Sequence, residues 1–154
     1  MARNVIHVET PPDTVWEVLS DPRMYGNWVV GASTTRGVDG AWPEAGSVLH
    51  HTQLLVLTDT TTVLRCEPGR RLELEARARP LLIARVNLTL APEGDGTRLE
   101  IEESMTGGLA AAVPRVLTDP LIALRNTETV KRLKRLAESS LDAVPTIPAA
   151  TLGD

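Results

Sequence analysis

The sequence predicts an α+β fold, an antiparallel sheet curled around one long C-terminal helix, and three observations carry that prediction. Between about residue 30 and residue 105, apolar and polar residues alternate in short runs joined by hairpin-length turns. After Pro120 the chain switches to helical period as far as Ser139, with Ile122, Val130, Leu133, Leu136 and Ala137 on one stripe. A sheet with one apolar face has to bury it, and that helix is the one long partner the chain offers.

Taken in order, residues 3–9 alternate as a first strand, with Ile6 and Val8 inward. Pro11 and Pro12 open a helix whose first turn tolerates their missing N–H, and Asp13 and Glu17 suit its positive end. Asp21-Pro22 closes it, because a residue before proline is pushed out of the α region, and a short turn follows over 23–28. Strands are predicted over 29–38, 47–57 and 59–67. Glu67-Pro68-Gly69-Arg70 has the composition of a type II turn. The clearest alternation follows in R-L-E-L-E-A-R-A-R, which puts Leu72, Leu74, Ala76 and Ala78 on one face. Residues 82–91, the turn at 92–97 and residues 98–105 complete a meander, antiparallel because hairpins join its strands. Gly107-Gly108 precedes a short apolar helix interrupted by Pro114, and Leu121 to Leu124 is apolar all round. Residues 1–140 are expected to make one domain, and 141–154, with two prolines and no periodicity, a disordered tail.

Composition narrows the function classes. The 154 residues are 42% hydrophobic and 23% charged, within the range of a soluble globular protein. A net charge of −4 argues against a dedicated nucleic-acid binder, and no apolar run is long enough for stable membrane insertion. The N-terminus lacks an apolar signal-peptide core, and the lone Cys66 excludes an internal disulfide, which together point to the cytoplasm. No phosphate-binding glycine loop and no metal-ligand spacing is present, so neither a cofactor nor a metal is expected. Monomer and homodimer both remain open.

The chain has no Phe, three Trp and one Tyr, and three of those four rings lie between Trp16 and Trp28. That stretch, with Pro11-Pro12, Val15-Trp16, Leu19, Asp21-Pro22, Tyr25 and Trp28 in place, and the later run R-N-x-E-x-x-x-R-L-x-x-L-A-E from Arg125 to Glu138, resembles the START-like, or SRPBCC, superfamily. Within it the chain looks most like bacterial polyketide cyclase/dehydrase-like proteins, over roughly residues 3–139. The resemblance implies a helix-grip fold: a seven-stranded antiparallel sheet around the long helix, two short helices after the first strand, and a deep cavity. It also implies a hydrophobic ligand such as a lipid or a polyketide, with acid–base cyclisation or dehydration in some members. Other members are carriers or co-chaperone-like interaction modules without chemistry, and a fold does not choose between them.

Parity selects the candidate residues. Continuing the last strand inward from Leu99 and Ile101 places Glu103 in the cavity, where a desolvated carboxylate suits general acid–base work. The alternatives are a bulge that turns it outward and a structural ion pair with Arg125. Of His50 and His51, adjacent residues on one strand, one has to face inward, and the parity of Leu49 favours His51 as the second acid–base candidate. Its alternative is a core histidine satisfied by threonine or backbone groups. Tyr25 and Trp28 are expected at the pocket rim, with Leu74, Ala76, Val86 and Leu88 on the sheet wall. Thr60, Thr62 and Leu64 share a parity assigned to the interior, and His50 stays a ligand candidate. Met105, Leu109, Val113 and Leu117 are expected to line a lid, and Leu121 and Arg125 the helix side. The mouth is expected between residues 105–118 and the loops after Trp28 and Trp42.

Overall fold

The computed structural model describes residues 1–53, 57–78 and 80–142. The expected disordered tail lies outside these from residue 143 onward. Strand β1 (Ala2–Val8) leads into helix α1 (Pro12–Ser20), a 3₁₀ turn at Pro22–Met24, and the single-turn helix α2 (Tyr25–Trp28). Strands β2 (Ala32–Asp39), β3 (Val48–Gln53), β4 (Leu57–Glu67), β5 (Arg71–Ala78), β6 (Leu82–Glu93) and β7 (Gly96–Gly107) follow. After a 3₁₀ turn at Leu109–Ala112, helix α3 (Arg115–Asp142) ends the described chain.

Every pairing is antiparallel, and the order β1-β7-β6-β5-β4-β3-β2 makes one seven-stranded sheet. The sheet grips α3, a helix-grip fold. Only β1 leaves the sequential meander, crossing to pair with β7, which brings the N-terminal strand beside α3. Val15, Val18 and Leu19 of α1 share one face, as their spacing requires, and bury it with Val8, Leu72, Leu88, Leu99, Leu133 and Ala137. Asp21 ends α1 and starts the next turn in one move, its Oδ1 accepting from the Arg23 backbone N–H at 2.9 Å.

Helix α3 begins earlier than its sequence suggests. The Pro114 carbonyl accepts from the N–H of Leu117 at 2.9 Å and Thr118 at 3.3 Å, so Pro114 starts the helix rather than interrupting one. Pro120 then lies inside α3. Its missing N–H leaves only the carbonyl four residues back, on the exposed Val116, without a helical donor, and water can serve it. Among the described residues no helix is long and apolar enough to cross a membrane.

Candidate functional site

The packing between sheet and helix is solid toward the C-terminal half of α3 and opens toward its N-terminal half. Along α3 the buried positions are Ile122, Asn126, Thr129, Val130, Leu133 and Ala137. The face is therefore apolar at both ends and polar in the middle, and a cavity of about 280 Å³ lies over this polar section. Its walls are Leu74, Ala76, Leu82, Val86, Ile101 and Met105 from the sheet, Tyr25 to Gly31 through Trp28, Val29 and Val30, and Leu121, Ile122, Arg125, Asn126 and Thr129 from α3.

Glu103 reaches the cavity because β7 keeps regular register there, opposite Val86 of β6 and Ala2 of β1. It is 4% exposed. Arg125 of α3 donates from Nη1 to both Glu103 oxygens, at 3.2 Å each, while its Nε donates to the Val30 carbonyl at 3.0 Å. One guanidinium thus ties α3 to β7 and to the segment after α2. Thr129 supports the same segment, its Oγ1 accepting from the Val30 N–H at 3.5 Å. Of the alternatives open for Glu103, an inward carboxylate and an ion pair with Arg125 hold together.

A second polar group lies behind Tyr25. Thr61 Oγ1 is 2.8 Å from the Tyr25 hydroxyl and 2.9 Å from His51 Nε2. A threonine hydroxyl has one proton and two lone pairs, so it donates to at most one of these neighbours and accepts from the other or from both. The Tyr25 ring lies 4.9 Å from the His51 ring, 5.1 Å from Trp28 and 6.2 Å from Trp42, the two tryptophans edge-on. Trp42 Nε1 donates to the Leu19 carbonyl at 3.3 Å, fixing that wall to α1. Asp59 sits directly opposite His51 in the β3–β4 register, and both are 1% exposed. Burial pushes the three titratable groups away from their charged forms: Tyr25 up to about 12, Asp59 up to about 6 and His51 down to about 4.

Of the residues assigned to the site from sequence, Tyr25, Trp28, Leu74, Ala76, Val86, Glu103, Met105, Leu121 and Arg125 line this cavity. His51 is inward but does not line it; Thr61 and Tyr25 intervene. His50 points out of the sheet, its Nε2 2.7 Å from Asp39 Oδ2. Thr60, Thr62 and Leu64 belong to the outer face, because a register shift between Val63 and Arg65 reverses the phase of β4. Thr61 opposite Ala76 and Val63 opposite Leu74 are the inward residues before it, and Cys66 opposite Leu72 returns inward after it. Leu88 is core, closed off from the cavity. Leu109, Val113 and Leu117 are 65%, 42% and 60% exposed and lie outside the cavity, so residues 109–117 are no inner lid. Gly31 and Leu121 are the exposed residues of the lining, and Trp42 takes no part in it.

Asn126, Thr129, Thr61 and Asp59 escaped the sequence reading. The signal for the first two was present: Ile122, Arg125, Asn126 and Thr129 share a helix face at i, i+3, i+4 and i+7, the polar interruption of an otherwise apolar stripe. Among the described residues no group of three or more His, Cys, Asp or Glu is placed to hold a metal ion.

Solved structures of similar fold cover nearly the whole chain. Protein CV1439 from Chromobacterium violaceum superposes with a TM-score of 0.66 at 20% identity, over 88% of this chain and 95% of its own. CalU16 from Micromonospora echinospora gives 0.59 at 23% identity, over 91% of this chain and 76% of its own. DynU16, a protein of the dynemicin biosynthetic locus, gives 0.68 at 21% identity over 90% of this chain, which spans about half (47%) of that larger protein. At these identities the likeness is one of fold. No curated protein matches the sequence. The sequence profile of one family matches residues 2–138, nearly all of the described chain. With the seven-stranded grip and the apolar cavity, that match settles the relationship: the chain belongs to the polyketide cyclase/dehydrase and lipid transport family, a membership that supports hydrophobic-ligand binding in general.

Proposed function

We propose that the protein binds a hydrophobic or aromatic small molecule, a polyketide or lipid-like compound, in the cavity between α3 and the sheet. The observation that carries this reading is the wall composition: aliphatic side chains from three strands, broken by one ion pair that bridges sheet and helix, Glu103 of β7 with Arg125 of α3. An apolar body gains roughly 25 cal/mol for each Å² it buries against Leu74, Ala76 and Val86. The ion pair orients a polar end.

The same geometry supports acid–base chemistry of the cyclase or dehydratase kind. Glu103 is the carboxylate among the lining residues, and Tyr25, whose hydroxyl is held by Thr61, lines the same cavity. His51 acts through Thr61 and Tyr25, as a positioning residue. Native mass spectrometry of freshly purified protein tests the binding reading: a co-purifying lipophilic species is expected. Absence of any such species, together with no thermal stabilisation by a panel of polyketide-like and fatty compounds, would overturn it. Once a substrate is in hand, Glu103→Gln is expected to bind it and lower turnover at least a hundredfold. Undiminished turnover removes the catalytic role.

A second reading, a carrier without chemistry, is favoured by one further observation. Leu109, Val116, Leu117, Leu121 and Leu124, on the turn before α3 and the first part of that helix, are each at least 60% exposed, and Leu121 also lines the cavity. An apolar rim of this kind shields a hydrophobic ligand as it passes to or from an acceptor surface. A carrier keeps full ligand exchange in Glu103→Gln.

A further inference from the structure

The exposed residues of the cavity lining, Gly31 and Leu121, belong to the short segment between α2 and β2 and to the first half of α3. That segment is secured at both ends. The Val29 N–H closes α2 on the Tyr25 carbonyl at 3.0 Å, the Val29 side chain is part of the core, and Ala32 pairs with Gln53 in the sheet. Between these ends Val30 makes no backbone–backbone hydrogen bond among the described residues. Both of its main-chain groups turn instead to side chains of α3: its carbonyl accepts from Arg125 Nε at 3.0 Å, and its N–H donates to Thr129 Oγ1 at 3.5 Å. Arg125 and Thr129 stand at i and i+4, on one face of the helix. The threonine bond is long for an N–H donor, so the charged guanidinium supplies most of the hold. Gly31, next in the chain, has φ 95°, in the left-handed region that glycine enters without a side-chain penalty.

We propose that Val30 and Gly31 are a gate on the cavity, latched by Arg125 and hinged at Gly31, and that a ligand enters and leaves when the Arg125–Val30 bond breaks. The gate rests on the cavity-binding reading above and adds a kinetic step to it. Opening disturbs little else: α2 keeps its closing bond through Val29, β2 keeps its pairing from Ala32, and no ladder bond of the sheet is lost. Arg125 itself stays in place, because Nη1 remains on the Glu103 oxygens while Nε lets go. The ion pair therefore anchors the latch to β7, and the Val30 carbonyl is the part that moves. One charge-assisted hydrogen bond favours the closed state over the open one by about ten- to hundredfold.

Stopped-flow fluorescence with N-phenyl-1-naphthylamine, a neutral dye that brightens in apolar surroundings, tests this. Dye binding that is lost in Ala76→Phe, which fills the cavity from β5, is binding inside it. Arg125→Lys keeps a positive charge against Glu103, but its one ammonium gives up the second bond to Val30. Opening limits entry and exit alike, so the association and dissociation rate constants are both expected to rise about tenfold in this variant. A guanidinium that merely touches the dye would change dissociation and leave association where it was. An unchanged association rate in Arg125→Lys overturns the gate and leaves the cavity reading standing. Absence of any dye binding sensitive to Ala76→Phe overturns the cavity reading and the gate with it. A second readout uses the unmodified protein and survives a variant that does not fold. Amide hydrogen exchange at Val30 is expected to be insensitive to low urea, while that at Leu133, in the core, follows global unfolding. Equal urea dependence at the two amides means that the segment opens only with the whole fold, and overturns the gate.

Discussion

At the scale of single residues, the facing pair His51 and Asp59 makes the sharpest claim. Each is buried at a place that disfavours its charge: Asp59 rises to about 6 from an ordinary 3.8, and His51 falls to about 4 from 6.5. The consequences for stability have opposite signs. Folded Asp59 keeps a proton that the unfolded chain has already lost, so stability declines as pH rises from about 4 to about 6. Folded His51 refuses a proton that the unfolded chain accepts, so stability declines as pH falls from about 6.5 to about 4. The two slopes oppose each other in the same window, and urea denaturation of the unmodified protein across it is expected to be shallow. Asp59→Asn exposes the histidine slope, with stability rising by up to about 3 kcal/mol between pH 4 and pH 6.5. His51→Gln exposes the reverse slope. Curves for both variants that parallel the unmodified protein would show that neither group is held in its neutral form. The inward orientation of His51 was legible from its parity with Leu49. The polar group around it was not, because Thr61 and Asp59 sit in a run of threonines that reads only as strand propensity.

At the scale of elements, the junction between β7 and α3 decides where the cavity ends. Gly108 adopts φ 80° and ψ −179°, a combination essentially closed to side chains, and a Cβ there would meet the Leu81 oxygen and the Leu82 Cα at 2.7 Å each. That close approach lets the N–H of Leu109 bond the Pro80 carbonyl at 3.2 Å and the N–H of Ala110 the Leu81 carbonyl at 2.8 Å, locking residues 109–112 onto the β5–β6 hairpin. Gly108→Ala is expected to cost about 1–3 kcal/mol and to speed hydrogen exchange at the Leu109 and Ala110 amides. Gly37→Ala, in β2 with nothing within 4 Å of the added Cβ, is expected to be neutral or stabilising by up to about 1 kcal/mol. Equal losses in both, read by urea denaturation, would contradict the steric account. The element order was readable from alternation and turn residues, but two local events were not. The shift in β4 carries no marker in V-L-R-C, so Thr60, Thr62 and Leu64 were placed on the wrong face. Residues 109–117 look like lid interior because they are apolar, and hydrophobicity alone does not say which way a short turn faces.

At the scale of the whole molecule, the cavity is an opening between layers, so a ligand that fills it binds the folded chain alone and stabilises it by mass action. A compound at 100 times its Kd adds about 2.7 kcal/mol, which for a chain of this length raises Tm by roughly 5–10 °C. Differential scanning calorimetry with a bound polyketide-like or fatty compound checks the figure; saturating calorimetric binding with an unmoved Tm would place the ligand on a surface that the unfolded chain also presents. The sequence by itself left the direction of Glu103 open but determined the antiparallel meander, the gripped helix and the family. Those follow from period, turn chemistry and a distinctive N-terminal run, all of which are local along the chain. Only the tertiary structure decided that Asn126, Thr129 and Trp28 share one cavity, that Thr61 and Tyr25 shield His51 from it, and that the Leu109–Leu117 stretch faces outward. These depend on how β4 is phased and where α3 begins, and both are fixed by contacts between residues far apart in sequence, which no local pattern encodes.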